Sequence, residues 1–241
     1  AIERVYAEVL LTPALTLRIG KVFTPFGLWN PVHRAPLTWT LDEPAIADEI
    51  VPVDMTGLTL LHRTRWQGWS LDTTLYGPAQ DFLRFPKSAE KGWLAGGRVA
   101  AGRPLGPAFA TIGLNAAAFR RFDERAWTTA TGLDLELNVW RHQLSGELSF
   151  QIPAGGERPL QGLYLEDAIP LERLTPLAHD LYGVVRFECF QPRRGAAAFG
   201  GLLGFFWRPT PNVVLRADYL WASRVLDRLQ PGLHGSISLL F

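Results

Sequence analysis

The chain of 241 residues has a formal net charge of +1, with 20% charged and 47% hydrophobic residues. This near-neutral balance gives no argument for nucleic acid as a partner. Its one cysteine excludes an intramolecular disulfide and a multi-cysteine metal site. No apolar run approaches the roughly 18 residues of a transmembrane helix, so a bilayer could be crossed only by a closed β-barrel.

Alternation of apolar and polar residues, the period of a β-strand, recurs along the whole chain. In chain order it predicts strands at 2–11, 15–20, 56–66, 69–77, 93–101, 108–118, the two arms of 133–152, 160–166, 180–189, 198–207, 213–222 and 233–241. The segment 160–166 has the weakest alternation of these 13. Soluble strands average about five or six residues, whereas a tilted membrane strand needs about 9–11, the length of most of these segments. Strand length therefore favours the membrane.

The clearest alternation lies at 133–152, LDLELNVWRHQLSGELSFQI, which predicts a hairpin with one aliphatic and one polar face. A two-residue turn at Arg141 and His142 would pair Glu136 with Glu147. Two carboxylates directly opposite each other repel. We expect an arginine from another strand to compensate them; the alternatives are a bound cation or a raised pKa.

The predicted connections alternate between tight and long. The tight ones are Thr12-Pro13, Gln67-Gly68, 102–107, Arg141-His142 and 208–212, and the long ones are 24–54, 78–91, 119–126, 153–159, 190–196 and 223–232. The linker 167–177 is longer than its place among the tight turns predicts. Short turns on one rim and long loops on the other are typical of bacterial outer-membrane barrels.

Tryptophans cluster at the predicted strand ends, where two interfacial girdles would lie. The seven that fit this pattern are Trp66, Trp69, Trp93, Trp127, Trp140, Trp207 and Trp221. A soluble core would instead place them in mid-strand.

These patterns predict an all-β fold: a transmembrane, antiparallel, up-and-down β-barrel of 12–14 strands, formed by residues 1–241 as one domain in the bacterial outer membrane. The alternative is a soluble β-sandwich. Such barrels have an even strand count with both termini on the periplasmic side. Counting back from 233–241, the strand 2–11 runs inward, so we expect one further strand, either upstream of this sequence or supplied by something else, and 14 in total.

Residues 17–33, LRIGKVFTPFGLWNPVH, contain a Gly-basic-x-x-Thr-Pro-Phe-Gly-x-x-Asn pattern. This pattern resembles a segment of proteobacterial porins, including phosphate-selective porin-like proteins. The matching residues are Gly20, Lys21, Thr24, Pro25, Phe26, Gly27 and Asn30. The C-terminal run ending at Phe241 looks like the tail that the barrel assembly machinery recognises. Together these resemblances imply an outer-membrane porin-like barrel, with lipid and that machinery as partners, and neither implies a substrate.

The polar phase of the strands carries charges of both signs, which we expect to face the lumen. They are Arg18, Arg63, Arg65, Arg98, Asp134, Glu136, Glu147, Arg186, Glu188, Arg216 and Asp218. Two interpretations remain open: a lumen whose charge selects solutes, and a salt-bridged wall without selectivity.

The 31-residue connection 24–54 is far longer than an ordinary loop, which indicates disorder or a function. It contains Trp29, Trp39 and a late acidic group. We expect it to fold into the lumen and constrict it, as such loops do in porin-like proteins. The alternative is a cap on the outer rim.

No catalytic residue, metal ligand or cofactor is predicted, because the five histidines show no metal-ligand spacing. His234 and Ser236 share a face, but the sequence identifies no acid partnered with them. The expected function is passive passage of small hydrophilic solutes or ions. The alternatives are a scaffold that encloses or docks a lumenal or periplasmic partner protein, and an outer-membrane enzyme. A homo-oligomer is also compatible with the sequence.

Overall fold

The structure, a computed structural model, describes residues 4–32, 38–79, 92–120, 126–154, 156–172, 179–225 and 229–239. Thirteen antiparallel strands form one sheet in the order of the sequence. They are β1 (Val5–Thr12), β2 (Leu15–Phe23), β3 (Asp54–Trp66), β4 (Trp69–Pro78), β5 (Trp93–Leu105), β6 (Ala108–Arg120), β7 (Thr128–Val139), β8 (His142–Pro153), β9 (Leu160–Pro170), β10 (Leu181–Gln191), β11 (Ala198–Thr210), β12 (Val213–Ala222) and β13 (Gly232–Leu239). The predicted up-and-down order is confirmed, and the weakly predicted strand at 160–166 is real.

The connections alternate as expected. Five of them are two-residue turns, which follow β1, β3, β5, β7 and β11. The connection from β9 to β10, at 171–180, is the long exception on that rim. Between β2 and β3 lie a 3₁₀ turn (Asn30–Val32) and one short helix, α1 (Ala45–Ile50). In the described part of the chain, no helix has the length and apolarity needed to span a membrane.

The sheet edges are β1 and β13, and no strand pairing joins them among the described residues. The expected upstream strand and Phe241 both lie outside the residues that the structure describes.

One face of the sheet is apolar and open to its surroundings. Large side chains of this outer face are well exposed, for example Leu114 at 64%, Leu203 at 58% and Ile237 at 74%. A belt of this kind over most strands needs a lipid environment. This contradicts the soluble-sandwich alternative, in which the same residues would form a core.

The tryptophans of the outer face lie at strand ends, with Trp66, Trp93, Trp127 and Trp221 exposed. Trp69 and Trp207 are half-buried. Trp140 is 79% exposed and lies within a turn rather than before it.

The predicted register of the β7–β8 hairpin is wrong by two residues. Val139 is paired with His142, so Trp140 and Arg141 form the turn. Trp140 adopts a left-handed φ of 53°, which an alternation pattern does not reveal. Because the shift is an even number, every side chain keeps its predicted face. The carboxylate opposite Glu147 is therefore Asp134 rather than Glu136.

Candidate functional site

The connection between β2 and β3 lies against the inner face of the sheet, which carries Arg98, Asp134 and Glu147. We call the described residues of this connection, 24–32 and 38–53, the inward segment. Its helix α1 contacts β8, β9 and β10. Contacts of Trp39 and Thr40 reach five consecutive strands, β8 to β12: Gln143, Glu166, Tyr182, Arg186, Phe206 and Arg216. The sheet therefore curves around the segment, which folds inward rather than capping the outer rim.

Hydrogen bonds close the two ends of the inward segment on each other. Thr24 donates its backbone N–H to the carbonyl of Val53 over 2.9 Å and its hydroxyl to the carbonyl of Pro52 over 2.5 Å. The side-chain amide of Asn30 donates to the carbonyl of Thr24 over 2.7 Å. Thr24 and Asn30 belong to the porin-like pattern, so part of that pattern builds the base of the segment.

The two glycines of the pattern are required by close approach. Gly20 has a φ of 143°, and a Cβ there would meet the carbonyl oxygen of Val5 and lie 2.7 Å from the Cα of Tyr6. Gly27 has a φ of 70°, and a Cβ there would overlap the carboxylate of Glu147, 2.7 Å from its Cδ. Both positions therefore exclude side chains.

The remaining pattern residues differ in exposure. Phe26 is buried, 1% exposed, in the apolar cluster around α1. Pro25 is half-buried. Lys21 points to the outer phase and lies 3.5 Å from a carboxylate oxygen of Asp54.

Glu147 holds the start of the inward segment by its main chain. Its Oε1 accepts the backbone N–H groups of Leu28 and Trp29, over 2.6 and 2.7 Å, and the hydroxyl of Tyr164 over 2.8 Å. The N–H of Gly27 is accepted by Oδ1 of Asn115 over 2.9 Å. The bonds to the carboxylate of Glu147 are charge-assisted, a class that is stronger than hydrogen bonds between neutral groups.

The opposed carboxylates of the β7–β8 hairpin are compensated in two ways. Arg98, from β5, donates to both oxygens of Asp134, over 3.0 and 2.5 Å, and Asn115 donates a third bond to it. An arginine from another strand was expected for a Glu136–Glu147 pair; the structure instead places one at Asp134, the residue that is opposite Glu147. Glu147 is instead satisfied by the N–H groups of the inward segment, a source that sequence reasoning missed.

A second set of contacts holds residues 38–45. Asp218 accepts the backbone N–H of Leu41 over 2.5 Å, and Glu188 accepts that of Ala45 over 2.8 Å. Arg186 donates to the carbonyl of Asp42 and Arg216 to the carbonyl of Thr38, over 2.7 and 3.0 Å. These contacts, like those of Glu147, are made to the main chain of the segment.

Apolar packing fills the space between these polar contacts. The ring of Trp39 lies 4.7 Å from that of Tyr182 and 4.9 Å from that of Phe206, centroid to centroid. Ile46 and Ile50 of α1 are buried in a cluster with Tyr164 and other inner-face side chains. The inner face of β8 to β12 is thus the wall of a packed core, which the prediction of a polar lumen did not foresee.

The eleven predicted lumen-facing residues lie on the inner face but fall into two groups. Six are buried beneath the inward segment or beside it: Asp134, Glu147, Arg186, Glu188, Arg216 and Asp218. Five keep exposed surface: Arg18, Arg63, Arg65, Arg98 and Glu136. Sequence reasoning missed the buried Glu166, and it placed the buried Asn115 on the polar face without including it among the lumenal residues. Glu166 lies in the strand with the weakest alternation. Other inner residues of that strand, such as Leu160 and Tyr164, are largely apolar, so the sequence pattern does not mark its inner face.

Three of these five residues, Arg18, Arg63 and Arg65, lie on β2 and β3, where basic charge is in excess. Arg18 is paired with Glu8 over 2.5 Å, and Arg63 with Asp72 over 2.7 Å. The side chain of Arg63 remains 82% exposed. Arg4 and Arg65 share this face and are exposed as well.

A small ionic cluster lies on the short-turn rim, outside the membrane-spanning segments. Arg141 donates to Glu172, to Asp180 over 2.6 Å and to the hydroxyl of Tyr182 over 2.9 Å. The hydrogen bond from the backbone N–H of Asp180 lowers the pKa of Glu172, and the hydrogen bond from Arg141 lowers this pKa to a lesser degree. The hydrogen bond to Glu172 in turn raises the pKa of Arg141.

His234 has an acid partner that the sequence did not identify. Its Nδ1 lies 2.5 Å from Oδ2 of Asp42, so the inward segment reaches the last strand. The hydroxyl of Ser236 has no hydrogen-bond partner, so the serine and histidine on this face do not form a nucleophile–base pair. In the part of the chain that the structure describes, no three histidine, cysteine or acidic side chains are grouped for a metal ion.

Similar solved structures are outer-membrane β-barrels. One is OmpT of Vibrio cholerae in a form lacking loop L8, with 11% identity, a TM-score of 0.58, and coverage of 90% of this chain and 73% of that chain. Another is an anion-selective porin from Comamonas acidovorans, with 14% identity, a TM-score of 0.58, and coverage of 93% and 69%. No family model matches the sequence, and no curated protein matches it at a significant level. With the exposed apolar belt, these likenesses show that the chain has the fold of outer-membrane β-barrels.

Proposed function

We propose that this barrel is a passive channel for small hydrophilic solutes or ions, and that it catalyses no reaction. The observation that carries the proposal is the uneven covering of the inner face. The inward segment packs on β8 to β12, and the buried cluster around it also takes in Met55 of β3 and Tyr76 of β4. The charged inner side chains of β1 to β4, by contrast, keep exposed surface. A water-filled passage along β1 to β4, narrowed by the segment, follows from this arrangement.

Anions are the solutes that this passage would favour. The exposed inner face of β1 to β4 carries four arginines and two carboxylates: Arg4, Arg18, Arg63, Arg65, Glu8 and Asp72. The acids of β7 to β12 are mostly buried against arginines or main-chain N–H groups. One of the similar structures is, by its name, an anion-selective porin, which supports the same direction.

Planar-bilayer recordings of the purified protein test both parts of the proposal. We expect discrete conductance steps and, in a KCl gradient, a reversal potential on the chloride side. The variant Arg63→Gln with Arg65→Gln would shift that potential towards the cation side. Tyr219→Phe, on the outer face, is the control and should leave it unchanged.

The outcomes separate the candidate functions. Absence of conductance steps from folded protein would refute the channel and leave the scaffold, whose lumen holds a partner chain. Steps with a reversal potential at zero or on the potassium side would refute the anion preference alone. Within the described residues, the lumenal material that packs on β8 to β12 is the chain's own segment, so no observation favours the scaffold.

A further inference from the structure

We infer that Glu147, Glu188 and Asp218 are positioning residues, which fix the inward segment as a rigid part of the wall rather than a moving gate. The inference rests on the proposed channel function, because the segment sets the width of the proposed passage.

The first argument is that these carboxylates bind main-chain N–H groups. Glu147 accepts from Leu28 and Trp29, Asp218 from Leu41 and Glu188 from Ala45. A buried N–H group without an acceptor is costly, so displacing the segment leaves these donors and the carboxylates unsatisfied together. Each carboxylate is 5% exposed or less, so water does not compete for these bonds while the segment is in place.

The second argument is that the contacts form two separate patches. Glu147 on β8 holds the segment at residues 28 and 29, next to its base. Asp218 on β12 holds it at residue 41, and Glu188 on β10 holds it at residue 45. The end of α1 is held as well, since the side-chain amide of Gln151 donates to the carbonyls of Glu49 and Ile50. A segment fixed at both patches cannot swing as one body.

The third argument is that donors and acceptors alternate along the segment. Arg186 and Arg216 donate to carbonyls at residues 42 and 38, between and beside the N–H groups that the carboxylates accept. Arg186 also lies 3.4 Å from a carboxylate oxygen of Glu188. The side chains of the wall thus accept hydrogen bonds from main-chain N–H groups of the segment and donate hydrogen bonds to its main-chain carbonyls. All of these bonds form together only in one fixed placement of the segment.

Thiol accessibility tests the placement without any reference to conductance. Cys189, on the outer face, is replaced by Cys189→Ser, and a single reporter thiol is introduced by Ala47→Cys in α1, where Ala47 is 4% exposed. The probe is a membrane-impermeant maleimide applied to the protein in lipid vesicles. With Glu188→Ala we expect labelling to accelerate by about tenfold or more (about 1.4 kcal/mol). Glu188→Gln keeps an acceptor oxygen and should give an intermediate rate.

Glu136→Ala is the matched control. Glu136 is another inner-face acid, and it accepts a hydrogen bond from Asn138 on its own strand rather than from the segment. Its removal should leave the labelling rate within about twofold of the parent. Heat-modifiable gel mobility establishes that each variant is folded before labelling.

Conductance of the same variants supplies the second readout. Glu147→Ala, Glu188→Ala and Asp218→Ala should each give larger or noisier steps, whereas Tyr219→Phe, on the outer face, should not. Faster labelling with no conductance in any protein, parent included, would support the positioning role and overturn the channel. Labelling rates that match those of Glu136→Ala and step sizes that match those of Tyr219→Phe would overturn the positioning role, whatever the parent conducts.

Discussion

Replacing Gly27 by alanine should loosen the inward segment by an amount that can be worked out from the structure. Gly27 has a φ of 70°, and an added Cβ would overlap the carboxylate of Glu147. The left-handed backbone costs an alanine about 1–2 kcal/mol. Moving the carboxylate aside also loses its bonds to the N–H groups of Leu28 and Trp29. Bonds to a charged group contribute about 1.5–3 kcal/mol each, so the two together contribute about 3–6 kcal/mol.

Gly106 provides a control for the backbone cost. It has a φ of 62°, close to that of Gly27, but an added Cβ would meet nothing within 4 Å. Gly106→Ala should therefore cost only about 1–2 kcal/mol. The difference between the two variants isolates the contact with Glu147.

Urea unfolding of the protein in lipid vesicles, followed by tryptophan fluorescence, measures both variants. We expect Gly27→Ala to lower the free energy of unfolding by about 3–6 kcal/mol more than Gly106→Ala. A difference below about 1 kcal/mol would refute the reasoning, since it would mean that Glu147 does not depend on the space at Gly27.

Three further predictions concern stability. Arg98→Ala removes the partner of the buried Asp134 and should lower the free energy of unfolding by about 3–5 kcal/mol. Arg63→Ala, at an exposed ion pair, should lower it by less than about 1 kcal/mol. Equal losses in urea unfolding would contradict this difference. Trp39→Ala should lower the free energy of unfolding by about 3–5 kcal/mol and increase the binding of a hydrophobic dye, because it removes the ring that packs against Tyr182 and Phe206. The lowered pKa of Glu172 contributes stability above the ordinary glutamate pKa of about 4.3, and that stability is lost as the pH falls through the lowered value. The urea midpoint of Glu172→Gln should therefore fall less between pH 6 and pH 3 than that of the parent, and parallel curves would contradict the assignment.

The outer face could be predicted almost completely, because contact with lipid requires an apolar side chain at every second position of each strand. Leu133, Leu135 and Leu148 alternate with polar residues, and they are exposed on the apolar face as expected. The two-residue error in the β7–β8 register left this outcome unchanged. Alternation fixes which face a residue takes, but the backbone angles of the turn fix its partner.

The inner face could be predicted only in part. The sequence placed Glu147, Glu188 and Asp218 on this face, since alternation requires it. It did not show that they are buried or that they bind main-chain N–H groups. An N–H group is present at nearly every residue and leaves no sequence signal, so contacts of this kind cannot be read from residue identity.

The sequence by itself therefore determined the strands, their order and the face that meets lipid, because each depends on a local period of two. Only the tertiary structure decided which part of the inner face stays exposed. Residues 24–54 are far in sequence from β8 to β12, and their placement depends on shape, on burial of Trp39 and Ile46, and on paired buried charges. That placement turned six of the eleven predicted lumenal charges into buried contacts, whereas Arg18, Arg63, Arg65, Arg98 and Glu136 keep exposed surface.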